Sequence, residues 1–418
     1  MTTDIFCSRT CCCAERENVY IHAHRTRVIV SHLSLTDFRN YASAEVALRP
    51  GPNLFVGSNG QGKTNLVESI VYLSTLASHR VSTDQALIRQ GAESATVRAR
   101  LEHADRQLLV ELQLNRSSAN RAQVNRVAVK PRELPRSITS VLFAPEDLAL
   151  VRGEPSGRRR LLDQLLVQLI PRFAGVMADY ERVLRQRNTL LKSARGARAA
   201  EGGLSTLELW DERLVGLGSE IIRGRQELVE RLRPHVAEAY SSIAGAGQEA
   251  ELALQLSILG AQPDDAGPVV PDAPPSGADP SSSLDVAEVA QRFRAALTRL
   301  RRAELDRGLT LVGPHRDDLL LMLNGLPARG YASHGESWSF ALALKLAAAA
   351  VLREDSAVGD PIVILDDVFA ELDEARRARL ASAIGDYEQV LITAAVFEDV
   401  PAPLAGYTVH VRNGRIVE

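Results

Sequence analysis

The sequence predicts an α/β fold: a mixed sheet carrying a phosphate-binding loop, an antiparallel β subdomain beside it, and an inserted, compact α-helical arm. Three observations predict it. Residues 57–64 read GSNGQGKT, residues 362–367 read IVILDD, and the stretch from about 150 to 305 repeats its apolar residues at helical spacing.

Taken in order, Val28 to Leu35, Ala44 to Leu48, Thr96 to Leu101, Leu108 to Leu114 and Gln123 to Val129 show strand-like alternation or apolar runs, the makings of the antiparallel subdomain. Within this part, Asn53 to Val56 is a short apolar run suited to a buried strand, and Asn65 to Leu76 continues as an amphipathic helix. The loop between them fits G-x-x-x-x-G-K-[ST], in which backbone N–H groups cradle phosphates at a helix start. Gly57, Gly60 and Gly62 are expected to supply positive φ and close approach to oxygens, with Ser58, Asn59 and Gln61 completing the cradle. Lys63 is expected to reach the β- and γ-phosphates of ATP, and the Thr64 hydroxyl to ligate Mg²⁺.

The arm is expected over 151–307, between head segments 28–150 and 308–418. Leu161, Leu162, Leu165, Leu166 and Leu169 open one helical stripe, Leu207, Trp210, Leu214, Leu217 and Ile221 a second, and Val286, Val289, Phe293, Leu297 and Leu300 a third. Residues 262–283, rich in Pro, Gly, Ser and Asp, read as a flexible loop within it. From Arg152 to Arg198 the chain carries 11 Lys or Arg against 4 Asp or Glu. That excess makes Arg158, Arg159, Arg160, Arg185, Arg187 and Lys192 candidates for sequence-independent contacts with DNA phosphates, although a solvated helix face gives the same count. Arg39 and Arg80 are further candidates at the nucleotide-facing surface.

In the last segment, residues 309–312 and 319–323 read as strands around GPHRDD (313–318). That cluster can be a metal or catalytic centre, or a hydrogen-bonded corner; the corner is the favoured reading. SHGE at 333–336 leads into an alanine- and leucine-rich helix. Its N-terminus, with Ser333, Gly335 and Glu336, can seek an anion as well as merely cap. Because the chain already owns one phosphate cradle, a second points to the ATP sandwich of ABC-type ATPases, in which the signature of one subunit closes on nucleotide held by another. Ile362 to Leu365 form a buried parallel strand ending in Asp366, expected to hold Mg²⁺, and Asp367, expected to orient or deprotonate the attacking water. Lys63, Asp366 and Asp367 thus make the expected catalytic set. Glu371-Leu372-Asp373 fits the D-loop, with Asp373 its acid.

Composition bounds the rest. The chain has 418 residues, enough for two or three domains, and 49 basic against 52 acidic residues, a net charge of −3, so any DNA contact must come from local patches. No apolar run reaches the ~18 residues of a membrane span and no cleavable signal pattern is evident, so the expectation is a cytoplasmic protein. All four cysteines, Cys7, Cys11, Cys12 and Cys13, precede residue 14, followed by His22 and His24. Their spacing matches no standard zinc pattern. Residues 1–27 are instead expected to lie outside the fold, as a disordered or mis-assigned extension with the native start at Val28.

DFRNY (37–41), GSNGQGKTNLVE (57–68), FAPEDLALVRGEP (143–155) followed by RRRLLD, GPHRDDL (313–319), YASHGE (331–336) and ILDDVFAELD (364–373) occur in the order that makes the chain resemble the RecF family of recombination mediators, over about residues 28–418. The resemblance implies a bacterial ABC-type head-and-arm ATPase related to the heads of Rad50 and SMC proteins. It implies dimerisation on ATP, binding near single-strand to double-strand DNA junctions, and action with RecO and RecR to load RecA at gaps. It also gives Glu146, in FAPED, the part of a Q-loop residue sensing Mg²⁺. Several positions depart from the wider ABC pattern: His334 replaces a glycine, Glu336 a frequent glutamine and Asp367 a glutamate, and Thr393-Ala394 follow the last strand where transporters carry a histidine. Each loosens hydrolysis more than binding, so a slow, timing ATPase is expected. A transporter subunit would share the motifs but has no use for the helical insertion. A P-loop kinase would not need SHGE.

Overall fold

A computed structural model describes residues 28–81, 83–103, 106–196, 201–245, 247–260, 284–355 and 359–417. The expectations for the 1–27 extension and the 262–283 loop fall outside these residues. The alternating sequence of the first hundred residues pairs as expected. β1 (Val28–Phe38) and β2 (Tyr41–Ala47) form a hairpin, β3 (Gly51–Val56) runs into helix α1 (Lys63–Thr75), and β4 (Ser94–His103), β5 (Arg106–Asn115), β6 (Arg121–Val124) and β7 (Val127–Val129) follow. An antiparallel sheet in the order β2-β1-β4-β5-β6-β7 results. The strand expected over 123–129 is two, because Asn125 and Arg126 both take positive φ, 51° and 67°, and turn the chain as a hairpin loop does.

Next come β8 (Ser140–Phe143), α2 (Leu148–Arg152), α3 (Pro155–Leu169), α4 (Phe173–Gly196), α5 (Glu201–Ala244), β9 (Ala250–Gln255) and α6 (Val286–Arg307). The chain ends with β10 (Asp318–Leu323), β11 (Leu326–Pro327), a distorted single turn α7 (Ala328–Tyr331), α8 (His334–Asp355), β12 (Ile362–Asp366), α9 (Glu374–Ile384), β13 (Gln389–Ala394), β14 (Tyr407–Arg412) and β15 (Arg415–Val417). The phosphate-bearing sheet runs β15-β14-β3-β13-β12-β8, parallel except for the terminal hairpin, and every residue of β12 and β13 is buried. Strands covered on both faces read as continuous apolar runs for that reason.

Further expectations change. Residues 309–312 are not a strand: Thr310 donates from its N–H and its hydroxyl to Asn188 Oδ1 (2.7 Å each) and Leu311 N–H donates to Glu304 Oε1 (2.9 Å). Arm side chains satisfy this backbone, so it has no need of a sheet partner. The helices expected to form the arm over 151–307 divide between two cores. Leu162 and Leu165 of α3 and Leu228, Leu232 and Val236 of α5 share one core with Phe340 and Leu344 of α8. A separate core is built by Val183 of α4, Leu214 and Ile222 of α5, and Val289 and Phe293 of α6. Helix α5, with 44 residues, reaches ~66 Å at the α-helical rise and belongs to both. Helix α8 is long and apolar enough to cross a membrane, against the expectation from apolar runs, and lies buried in the first core.

Candidate nucleotide-binding site

The turn between β3 and α1 owes its shape to three glycines used in two ways. Gly60 (φ 79°) and Gly62 (φ 115°) take the left-handed conformation foreseen for them. Gly57 does not; there a Cβ would fall 2.2 Å from the Val411 carbonyl oxygen, so glycine permits close approach of β14 instead. No side chain caps α1, leaving its first-turn N–H groups open at the loop, the arrangement that binds anions. Gln61 is held from behind: its carbonyl accepts from Asn40 Nδ2 (3.2 Å) and Gly414 N–H (3.0 Å), and its Oε1 accepts from Asn413 N–H (2.5 Å). Ser58 and Asn59 complete the turn, with Gln61 N–H donating to the Ser58 carbonyl at 3.4 Å.

Lys63 is only 3% exposed, yet among the described residues its ammonium has only long contacts. The Ser58 carbonyl lies at 3.5 Å and Asp367 Oδ2 at 4.0 Å. A buried cation so poorly paired fits a site for phosphate. Beside it, Thr64 Oγ1 donates to Asp366 Oδ1 (2.9 Å), as does Thr393 Oγ1 (2.6 Å). Burial pushes the Asp366 carboxyl up to about 6 against those two hydrogen bonds, and the charges of Asp367 and the exposed Glu146 add to the rise. This clustering of hydroxyl and carboxylate oxygens, with negative charge in excess, suits a hard divalent cation; Thr64 and Asp366 are the residues that would hold Mg²⁺. Asp367 takes φ 52°, and its N–H donates to Thr393 Oγ1 (2.9 Å), which aims a partly exposed carboxylate past Lys63. Thr393, absent from the expected site, stands where transporters carry a histidine and its hydroxyl bonds to both Asp366 and Asp367.

Arg39 and Arg80 flank this loop. Arg39 donates to Glu68 from Nε (2.9 Å) and Nη2 (2.7 Å), and Glu68, fully buried in α1, also accepts from Ser78 Oγ (2.5 Å). The exposed Arg80 reaches Asn65 Oδ1 (3.0 Å).

Ser333 and Glu336 form a capping box at the start of α8. Ser333 N–H donates to Glu336 Oε2 (2.7 Å) and Glu336 N–H to Ser333 Oγ (3.3 Å), while Gln248 Nε2 donates to Glu336 Oε1 (2.6 Å). The bonds from Ser333 hold the Glu336 carboxyl below its ordinary range. Over Gly335 lies the Arg376 guanidinium, 2.7 Å from where a Cβ would stand. Arg376 also pairs with Asp373, whose carboxylate accepts from Arg376 N–H (2.8 Å) and so caps α9. Residues 333–336 and Asp373 are therefore joined through Arg376. Among the described residues, the side-chain hydrogen bonds of 333–336 stay within the box or run to Gln248, and none runs to residues 57–64.

GPHRDD proves to be a buried corner between arm and head. His315 Nδ1 shares a hydrogen bond with Tyr180 Oη (2.8 Å), and burial pushes its imidazole down to about 3. Asp317 accepts from Ser257 N–H and Oγ (2.8 Å each), and burial pushes its carboxyl up to about 6. No metal-holding cluster of His, Cys, Asp and Glu occurs among the described residues. This corner consumes two expected DNA contacts. Arg158, 3% exposed, donates Nε and Nη2 to Asp318 (2.7 Å each), and Arg159 donates to the Asp317 carbonyl (2.8 Å). Arg187 is withdrawn as well: fully buried, it donates to Asp211 (2.7 Å), Glu304 (2.6 Å) and Thr310 Oγ1 (2.7 Å). Arg158 and Arg187 are thus structural ion-pair residues, since no phosphate can reach a guanidinium closed in by protein carboxylates. Arg160, Arg185 and Lys192 remain exposed.

A family model described as the RecF/RecN/SMC N terminal domain matches residues 29–402. The DNA replication and repair protein RecF of Clavibacter michiganensis subsp. michiganensis (strain NCPPB 382) is 65% identical over 391 residues, 94% of this chain and 96% of its own length. That of Leifsonia xyli subsp. xyli (strain CTCB07) is 63% identical over 390 residues, 93% and 99% of the two chains. A solved structure of the recombination mediator protein RecF-ATPrS in the RecFOR pathway superposes with a TM-score of 0.81 at 26% identity, covering 94% of this chain and 99% of that one. The Smc head domain of Pyrococcus furiosus, with an extended coiled coil and bound to the C-terminal domain of ScpA, shares the fold (TM-score 0.51, 16% identity, 93% and 96% covered).

Proposed function

Because this chain belongs to the RecF family of DNA repair ATPases, we propose that it binds ATP between two copies of itself, holds DNA while so paired, and releases it on slow hydrolysis. The observation that carries this reading is the buried, under-paired Lys63 beside Asp366 and Asp367, at the foot of an uncapped helix. Gly57 to Thr64 bind the triphosphate through backbone N–H groups and Lys63. Thr64 and Asp366 would hold Mg²⁺, and Glu146, whose charge acts on Asp366, would sense it. Bound there, Mg²⁺ supplies charge neutralisation to the β- and γ-phosphates. Asp367 orients the attacking water and accepts its proton; Ser333, Gly335 and Glu336 of the second copy cap the terminal phosphoryl group, positioned by Asp373 through Arg376.

Turnover is slow because Asp367 is one methylene shorter than glutamate and is held by its backbone; a rate well above ~10 per second, the median enzyme scale, would refute that. Arg160, Arg185 and Lys192 contact DNA phosphates without reading sequence. In the cytoplasm the dimer acts at single-strand to double-strand gaps, with RecR and RecO as partners and RecA loading as the outcome. Sedimentation of Asp367→Asn with and without ATP tests the core of the proposal. ATP-dependent dimers that retain gapped DNA are expected; a monomer at saturating ATP refutes it.

A further inference from the structure

The outer edge of the antiparallel sheet carries a second charged surface that the ATP site does not use. Arg121, Arg126, Lys130, Arg132 and Arg136 are all exposed, and Glu133 is the one carboxylate between residues 121 and 136. Among the described residues none of the five forms an ion pair, whereas their neighbours are engaged: Arg98 pairs with Glu111, and Arg116 donates to the Ala92 carbonyl (2.7 Å). Between this edge and α1 opens a cavity of about 520 Å³. Tyr72, Leu76, Leu112 and Pro131 give it apolar walls, and Lys130 and Arg132 stand at it as cations. Asp84 also lines it, accepting from Asn120 Nδ2 (2.8 Å) and facing the Tyr72 hydroxyl; its one negative charge offsets one of the two cations at the recess and leaves the surface positive. Strand β7, at the sheet edge, leaves one backbone rim unpaired and Val127 65% exposed.

We infer that this surface docks an extended acidic peptide from a partner protein, with one apolar side chain anchored in the cavity. Unpaired cations call for anions. A duplex would satisfy the cations alone, since its bases are stacked inside, and a single strand would leave the backbone rim of β7 unpaired, while an acidic peptide uses the cations, the recess and the free edge of β7 together. The inference stands apart from the ATP-driven pairing, since none of these residues belongs to the nucleotide site.

The test probes the full chain against an array of short peptides, each rich in Asp and Glu and carrying a single Phe, Leu or Ile at varied positions. Binders are then measured by fluorescence polarisation. Peptides should bind, and Lys130→Glu with Arg132→Glu should weaken them by about tenfold or more, as should replacement of the anchor by Ser. Both substituted residues are exposed, so ATP binding should survive as the control for folding. The inference is overturned if no peptide is retained above the level of the double variant, or if peptides lacking the anchor bind equally. It is also overturned if a short duplex displaces the peptide and needs the same two residues, or if the double variant abolishes self-association, which would make a second copy the occupant.

Discussion

Arg187→Ala should destabilise the arm by roughly 3–5 kcal/mol, the cost of breaking a buried ion pair from one side. The guanidinium serves Asp211, Glu304 and Thr310, and both Arg187 and Glu304 are 0% exposed. Asp211 retains Arg301 as a partner after the change. Glu304 retains only the Leu311 N–H on its other oxygen, so it becomes the uncompensated buried charge. Arg187→Met with Glu304→Leu should therefore recover most of the loss, because an apolar pair of similar volume carries no desolvation cost. The two tryptophans divide the readout. Trp210 packs on the arm core and Trp338 is buried in α8 of the head core, with an indole N–H that finds no acceptor, so either can be replaced by Phe to isolate the other. In urea, Arg187→Ala should shift the Trp210 transition far more than the Trp338 transition. A loss below about 1 kcal/mol, the scale of an exposed pair, or weakened DNA binding with stability intact, would refute the reasoning.

Charge reversal at Arg160, Arg185 and Lys192 together should weaken duplex binding, lowering the slope of log affinity against log salt by about 3, near 0.9 per lost phosphate contact, with ATP binding unchanged; equal slopes would remove these residues from the interface. Thr393→Val should cut hydrolysis by roughly 10–100-fold, the usual effect of losing a hydrogen bond that orients a metal ligand, while Thr393→Ser keeps it; equal rates would show that Asp366 and Asp367 need no such support. His315 is pushed down to about 3 from an ordinary 6.5, so between those values the unfolded chain binds more protons than the folded one. Wild type should therefore gain on His315→Gln by about 1.4 kcal/mol per pH unit as pH rises through that window, and a difference independent of pH would show that the imidazole is not buried neutral.

The nucleotide loop, the acid pair and the signature were readable because each is a local pattern whose chemistry depends on neighbours in sequence. β9 was not readable, since Ala250 to Gln255 is a short alternating run whose partner, β10, lies more than sixty residues on. The C-terminal hairpin was readable and passed over: Asn413-Gly414 between two alternating runs is a strong turn signal, and that turn clamps Gln61. The buried arginines could not be told from solvated ones. Arg158 and Arg160 stand in the same run of three, and only Asp318, 160 residues away, separates their fates. The stripe from Leu207 to Ile221 shows where α5 runs but not how far, because its two halves pack into different cores.

Strand order in the phosphate-bearing sheet has a consequence for biosynthesis. β3 lies between β13 and β14, and β8 pairs only with β12. A nascent chain therefore exposes the strand that leads into the loop, with both edges bare, until β13 and β14 have been made. Long-range pairing of this kind closes slowly and leaves apolar edges open to aggregation in the meantime. Synthesis of this chain should thus lean on ribosome-associated holdases, and a chain truncated before Val390 should yield aggregates in place of a folded amino-terminal half.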